Sequence, residues 1–168
     1  VGSNALHEAM INELIKEAHI LQADGRMSLA GVGRGRSHQV HNQTRRDSIF
    51  WLDGSSEAQR EYLKTMEDLR LQLNRELMLG LFEYEAHFAH YRTAASYSKH
   101  RDSFSGAASR VVSVVTYLNA DWLSENGGEL LLYDEAAENV LERVLPEAGT
   151  VVIFLSEKIP HEVLPANC

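Results

Sequence analysis

The chain has 168 residues, of which 44% are hydrophobic and 24% charged, with a formal net charge of −8. These values suit one globular domain with a substantial core, and they exclude general nucleic-acid binding, which needs a basic face to neutralise phosphates. With a single cysteine, Cys168, no apolar run near the roughly 20 residues of a membrane span and no secretory leader pattern, the expected setting is reducing and cytoplasmic.

Taken in order, apolar residues first recur at Leu6, Met10, Ile11, Leu14, Ile15, Ala18 and Leu21, one face of a helix over residues 5–21 that Gly25 ends. Residues 27–47 are polar and predict a strand edge followed by a mobile loop. Arg34, Arg36, His38, His41, Arg45 and Arg46 make that loop locally basic. It could meet an acidic partner, although a solvated loop explains it as well. Ser48 to Leu52 predicts a short strand closed by the Asp53-Gly54 turn. A second helix starts near Ser56, whose spacing to Gln59 suits a capping box, with Tyr62, Met66, Leu69, Leu73 and Leu77 as its buried stripe. Beyond Gly80 the pattern changes to strands, expected at 86–91, 96–102, 110–118, 129–133, 139–144 and 150–155, separated by glycine, asparagine and proline turns.

Two amphipathic helices followed by short strands predict an α+β chain, mostly β. The expected architecture is a jelly roll, or double-stranded β-helix, with the N-terminal helices packed on the larger sheet. No linker or repeat divides residues 1–168.

Two short motifs carry the chemistry. His100-Arg101-Asp102 is answered by Pro160-His161-Glu162. In an extended strand, residues two apart point to the same side, so His100 and Asp102 could grip one metal ion with His161 arriving from a neighbouring strand. Two imidazoles and a carboxylate on one face of an octahedral ion leave three positions open, as in non-haem iron(II) oxygenases. The same residues also fit surface histidines and a turn-capping aspartate. His87 and His90 read as polar positions on a half-exposed strand. There is no CxxC, phosphate-cradling loop or G-x-S-x-G elbow, and Gly31 to Gly35 lack the flanking strand and helix of a dinucleotide turn.

Tyr97-Ser98-Lys99-His100-Arg101-Asp102, then 110–119 ending in Tyr117-Leu118-Asn119, then Trp122, Gly127-Gly128-Glu129-Leu130 and Pro160-His161-Glu162-Val163-Leu164-Pro165 follow an order that resembles the prolyl 4-hydroxylases. These are 2-oxoglutarate- and Fe(II)-dependent dioxygenases, and the chain looks most like bacterial relatives of the hypoxia-sensing prolyl hydroxylases. The resemblance spans roughly residues 27–168. It implies that His100, Asp102 and His161 ligate iron and that Tyr91 and Tyr117 hydrogen-bond the 2-oxoglutarate carboxylates. It also makes Arg46 and Asp47 a charged pair near the substrate entrance, a plain surface ion pair being the alternative, and residues 31–46 a lid.

The implied cofactors are Fe(II), the cosubstrate 2-oxoglutarate, and ascorbate. The implied reaction hydroxylates a prolyl residue of a protein or peptide, such as a translation factor, and releases succinate and CO2. The same chemistry on a free amino acid or metabolite, and a non-catalytic metal-binding jelly-roll module, stay open as alternatives. In the family a basic residue about nine or ten positions beyond the second histidine pairs with the far carboxylate of 2-oxoglutarate. That position falls just past Cys168, so the domain is expected to lack its C-terminal strand.

Overall fold

The computed structural model describes residues 1–2, 6–29, 47–103 and 110–167. The expected lid and Arg46 lie outside the described residues. Helix α1 spans Glu8–Ala23, strand β1 Ser28–Leu29, β2 Asp47–Trp51 and helix α2 Glu57–Leu77. The strands that follow are β3 His87–Tyr91, β4 Tyr97–His100, β5 Val112–Thr116, β6 Leu130–Tyr133, β7 Val140–Val144, β8 Val151–Leu155 and β9 His161–Val163. All strand pairs are antiparallel, in three groups ordered β1-β2-β3, β4-β9-β6-β7 and β5-β8. Among the described residues no helix is long and apolar enough to cross a membrane.

Two apolar clusters hold these pieces. Leu130 and Leu132 of β6 and Val144 of β7 pack on Val152 and Phe154 of β8, with Val115, Tyr117, Ile159 and Val163 around them. That cluster fills the space between the four-stranded sheet and the β5-β8 ladder, as the alternating Val152 and Phe154 of β8 require. The second cluster joins Met10, Leu14 and Leu21 of α1 to Phe88 of β3 and Phe50 of β2. The helices therefore cover the three-stranded sheet. They also reach β5 through a 3.0 Å hydrogen bond between the Tyr62 hydroxyl and Thr116 Oγ1.

Helix α2 starts as the sequence requires, with Ser56 Oγ accepting from Gln59 N at 3.1 Å. The expected buried stripe needs correcting at its far end. Met66 is buried and Tyr62, Leu69 and Leu73 half-buried, but Leu77 is 59% exposed. A 21-residue helix runs about 31 Å, whereas the five-residue strands of β2 and β3 extend about 17 Å. Its last turn overruns the sheet.

Gln59 is fully buried. Its Oε1 accepts from Asp53 N and Gly54 N, both at 3.0 Å, and its Nε2 donates to Glu17 Oε1 at 2.6 Å. Ser56 donates to the other Glu17 oxygen at 2.6 Å. One amide thus ties α1, the Asp53-Gly54 turn and the start of α2 together, with every polar atom satisfied.

The 127–128 turn follows from a close approach. A Cβ on Gly127 would meet Pro165 O at 2.6 Å. Across this contact Gly128 N donates to Pro165 O, Leu164 N to Glu129 O, and Asn167 N to Asn126 O. The segment that leaves β9 is sealed against the turn that leads into β6.

Candidate metal centre

Strands β4 and β9 are neighbours, and His100 is the register partner of His161. On β4 the step from Tyr97 to His100 is three residues, whereas the matching step on β9, from Val163 to His161, is two. This one-residue bulge turns residues three apart toward the same face. Tyr97 consequently stacks on His100, with ring centroids 3.6 Å apart and planes at 24°. The adjoining side chains tie the strand down on the other side: Lys99 Nζ donates to Ala137 O at 3.1 Å and Arg101 Nη2 to Glu135 O at 2.6 Å.

The extended strand expected over 96–102 stops at His100, and Asp102 lies in a bend beyond it. Strand alternation therefore does not bring His100 and Asp102 together; the bend and a contact from another strand do. Ser113 of β5 donates to Asp102 Oδ2. Asp102 Oδ1 then lies 3.5 Å from His100 Nε2 and 3.7 Å from His161 Nε2. The three ligand atoms lie within 4.8 Å of one another.

The donor set fits a metal ion. His100 Nδ1 sits 2.7 Å from Ser98 O and His161 Nδ1 3.1 Å from Ile159 O. A carbonyl accepts and never donates, so each Nδ1 carries a proton and each Nε2 is the ring atom turned inward, free to serve as a ligand. His100 Nε2 is buried and has no hydrogen-bond partner among the described residues. An orphaned buried nitrogen is costly unless something satisfies it, and a cation between the three groups would do so.

Burial pushes the His161 imidazole below the usual histidine range, with the Asp102 charge opposing in part. Burial alone would raise the Asp102 carboxyl; contact with His100, the Ser113 hydrogen bond and the proximity of His161 outweigh it and lower it to about 2. Near neutral pH the site thus presents a carboxylate and, at His161, a neutral ring, the forms that bind metal. Phe154 packs on His161 with centroids 4.7 Å apart and closes the apolar side.

The other expected residues are placed as follows. Tyr117 follows β5 and packs against the inter-sheet core; burial alone pushes its phenol far above the ordinary range, so it stays a proton donor. Tyr91 ends β3, half-buried, as the register partner of Asp47. Asp47 is 1% exposed, so it is not half of a solvent-exposed ion pair. His87 packs its ring against Trp51 at 4.9 Å, and neither His87 nor His90 joins a metal-holding group among the described residues. Ser113 and Ser156 were not singled out from the sequence. The available signal was a serine, Ser113, among the valines of β5.

An antiparallel β sandwich that aims two imidazoles and a carboxylate at one point is the layout of the non-haem oxygenases that use Fe(II) and 2-oxoglutarate. Comparison with known proteins agrees. The model of the 2OG-Fe(II) oxygenase superfamily matches residues 86–168. A prolyl-4-hydroxylase from Pseudomonas putida is 39% identical, with a TM-score of 0.89, covering 99% of this chain and 85% of that one. A Trichoplax adhaerens prolyl hydroxylase, solved with a hypoxia inducible factor oxygen degradation domain peptide fragment, is 26% identical with a TM-score of 0.82, covering 99% of this chain and 77% of that one. A viral collagen prolyl hydroxylase from Paramecium Bursaria Chlorella virus-1, at 18% identity and a TM-score of 0.64, covering 99% of this chain and 87% of that one, shares the fold.

The chain belongs to the prolyl 4-hydroxylase family of 2-oxoglutarate- and Fe(II)-dependent dioxygenases. It is an enzyme whose metal is Fe(II) and whose cosubstrate is 2-oxoglutarate.

Proposed function

We propose that this enzyme hydroxylates a prolyl residue in a protein or peptide, with 2-oxoglutarate and O2 converted to succinate and CO2 as one oxygen atom enters the C–H bond. The observation that carries the reading is the convergence of His100, Asp102 and His161 on one point, with His100 Nε2 buried and without a hydrogen-bond partner among the described residues. The Trichoplax relative holds a peptide, which supports a macromolecular substrate over a free amino acid.

In this reading the three side chains hold Fe(II), which when bound couples the oxidative decarboxylation of 2-oxoglutarate to C–H oxidation. Tyr117 donates its hydroxyl to a 2-oxoglutarate carboxylate from within the apolar core, where such a bond is strong because water is excluded. Tyr91 is assigned to the same cosubstrate. Arg46 and Asp47 are assigned to the substrate side; with Asp47 1% exposed, its part is to brace the start of β2 beside Arg46. Ascorbate supports turnover as a reductant. A cytoplasmic translation factor is the first candidate substrate.

The test is anaerobic addition of Fe(II) and 2-oxoglutarate, followed by succinate measurement with proline-containing peptides. The expected results are a metal-to-ligand charge-transfer band that Asp102→Ala abolishes, and a gain of one oxygen on a peptide proline. A band that survives Asp102→Ala ends the ligand assignment. Oxidation of free proline in preference to every peptide moves the substrate class to small metabolites.

A further inference from the structure

Oδ1 and Oδ2 of Asp102 have different surroundings, and the difference comes from the opposite side of the sandwich. Both histidines belong to the four-stranded sheet, on β4 and β9. Ser113 lies on β5, and Ser156 follows β8 directly, so both hydroxyls come from the other ladder. Ser113 donates its proton to Asp102 Oδ2. Ser113 Oγ also lies 2.8 Å from Ser156 Oγ.

A hydroxyl has one proton. With the Ser113 proton committed to Asp102, the Ser156–Ser113 bond must run from Ser156 to Ser113. Ser156 is fully buried and its backbone N donates to Val111 O at 3.0 Å, so its hydroxyl is fixed in place. Donation into Ser113 polarises that hydroxyl and strengthens its bond to the carboxylate.

We propose that Ser113, backed by Ser156, is a positioning residue that selects Asp102 Oδ1 as the metal-binding oxygen. Tying Oδ2 to β5 leaves Oδ1 facing both Nε2 atoms, at 3.5 and 3.7 Å. It also stops the carboxylate from turning to grip the ion with both oxygens, which would take up a position needed by cosubstrate or O2. The inference rests on the proposed ligand assignment and adds to it the rule by which one carboxylate oxygen is chosen.

The experiment measures Mn(II) affinity from the free-ion signal in electron paramagnetic resonance, on the full chain, with folding checked by circular dichroism. Ser113→Val is expected to weaken Mn(II) by about 10–100-fold. Ser113→Thr has the same shape, keeps the hydroxyl and is expected to restore most of the affinity. Ser156→Ala is expected to cost a few-fold when Ser113 is present and nothing more in a Ser113→Ala background, because the relay acts through one atom. If valine unfolds β5, Ser113→Cys keeps the size, donates weakly and is expected to show the same loss. Wild-type affinity in Ser113→Val or Ser113→Cys, or fully additive losses in the double variant, overturns the proposal. Wild-type affinity in Asp102→Ala overturns the ligand assignment beneath it instead.

Discussion

His100 and His161 face each other as register partners on adjacent antiparallel strands, with ring centroids 4.3 Å apart. Such rings gain little from each other, since a proton on one disfavours a proton on the other. Both instead gain from a cation between them. Divalent metal is therefore expected to raise the unfolding temperature of the chain, by an amount that grows with metal concentration as linkage requires. Scanning calorimetry with Mn(II) and without it checks this, and His161→Ala should remove the dependence. A melting temperature indifferent to Mn(II) would count against the site.

Acid should destabilise the metal-free protein in two steps. Asp102 is lowered from 3.8 to about 2 in the fold. A depressed carboxyl contributes stability above its unfolded value and loses it as pH falls through the folded one. That contribution is on the order of 2 kcal/mol and disappears between about pH 4 and 2. His161 is lowered from 6.5 by burial. Between 6.5 and its folded value the unfolded chain binds more protons, so stability begins to fall as pH drops below 6.5. Urea midpoints measured against pH should show both steps, and Asp102→Asn should erase the lower one.

Tyr117→Phe separates cosubstrate binding from folding. Tyr117 packs against the apolar core, and burial is the cause of its raised pKa, so removal of its hydroxyl should leave stability nearly unchanged. A hydrogen bond to a charged group is worth about 1.5–3 kcal/mol, which predicts a rise in the KM for 2-oxoglutarate of about 10–100-fold. Tyr62→Phe is the control. It breaks the bond to Thr116 and should lower stability while leaving that KM alone. Equal effects of the two variants on KM would remove Tyr117 from the cosubstrate pocket.

The parts of this structure that the sequence revealed are those with a period. The stripe of Met10, Leu14 and Leu21 located α1, and the apolar runs located β5, β6 and β8, because burial on one face or two leaves a repeat in the chain. A strand was expected to carry His161, but the bounds of β9 could not be read because its three residues carry no period. The metal ligands were readable because His100-Arg101-Asp102 and Pro160-His161-Glu162 stand in the order of a known family; His-x-Asp alone is weak in a chain with eight histidines, and strand alternation is not what brings His100 and Asp102 together. A bulge and a bend place them; the bend is signalled by the polar residues Arg101-Asp102-Ser103 after His100, the bulge by nothing in the sequence. The Gln59 network was half visible: its capping role shows in Ser56-x-x-Gln59, but its bonds to Glu17 and the Asp53-Gly54 turn come from tertiary packing.

The Gly127-Gly128 turn gives the last prediction, linking a backbone constraint to the metal site. Gly127 has φ +67° and ψ −149°, a region open essentially to glycine alone. An added Cβ would also meet Pro165 O at 2.6 Å. Gly127→Ala therefore combines strain of about 1–3 kcal/mol with a displaced backbone carbonyl. That carbonyl belongs to the segment that leaves β9, so the displacement pulls on the strand that carries His161. Denaturant unfolding should show the loss of stability, and the Mn(II) titration should show weaker binding at temperatures where the variant is still folded. Gly25→Ala serves as the comparison. It has a similar positive φ of +65° with nothing within 4 Å of the new Cβ, so it should cost stability by strain alone and leave Mn(II) affinity unchanged. If both variants lose stability equally and both bind Mn(II) normally, the turn does not support the metal site.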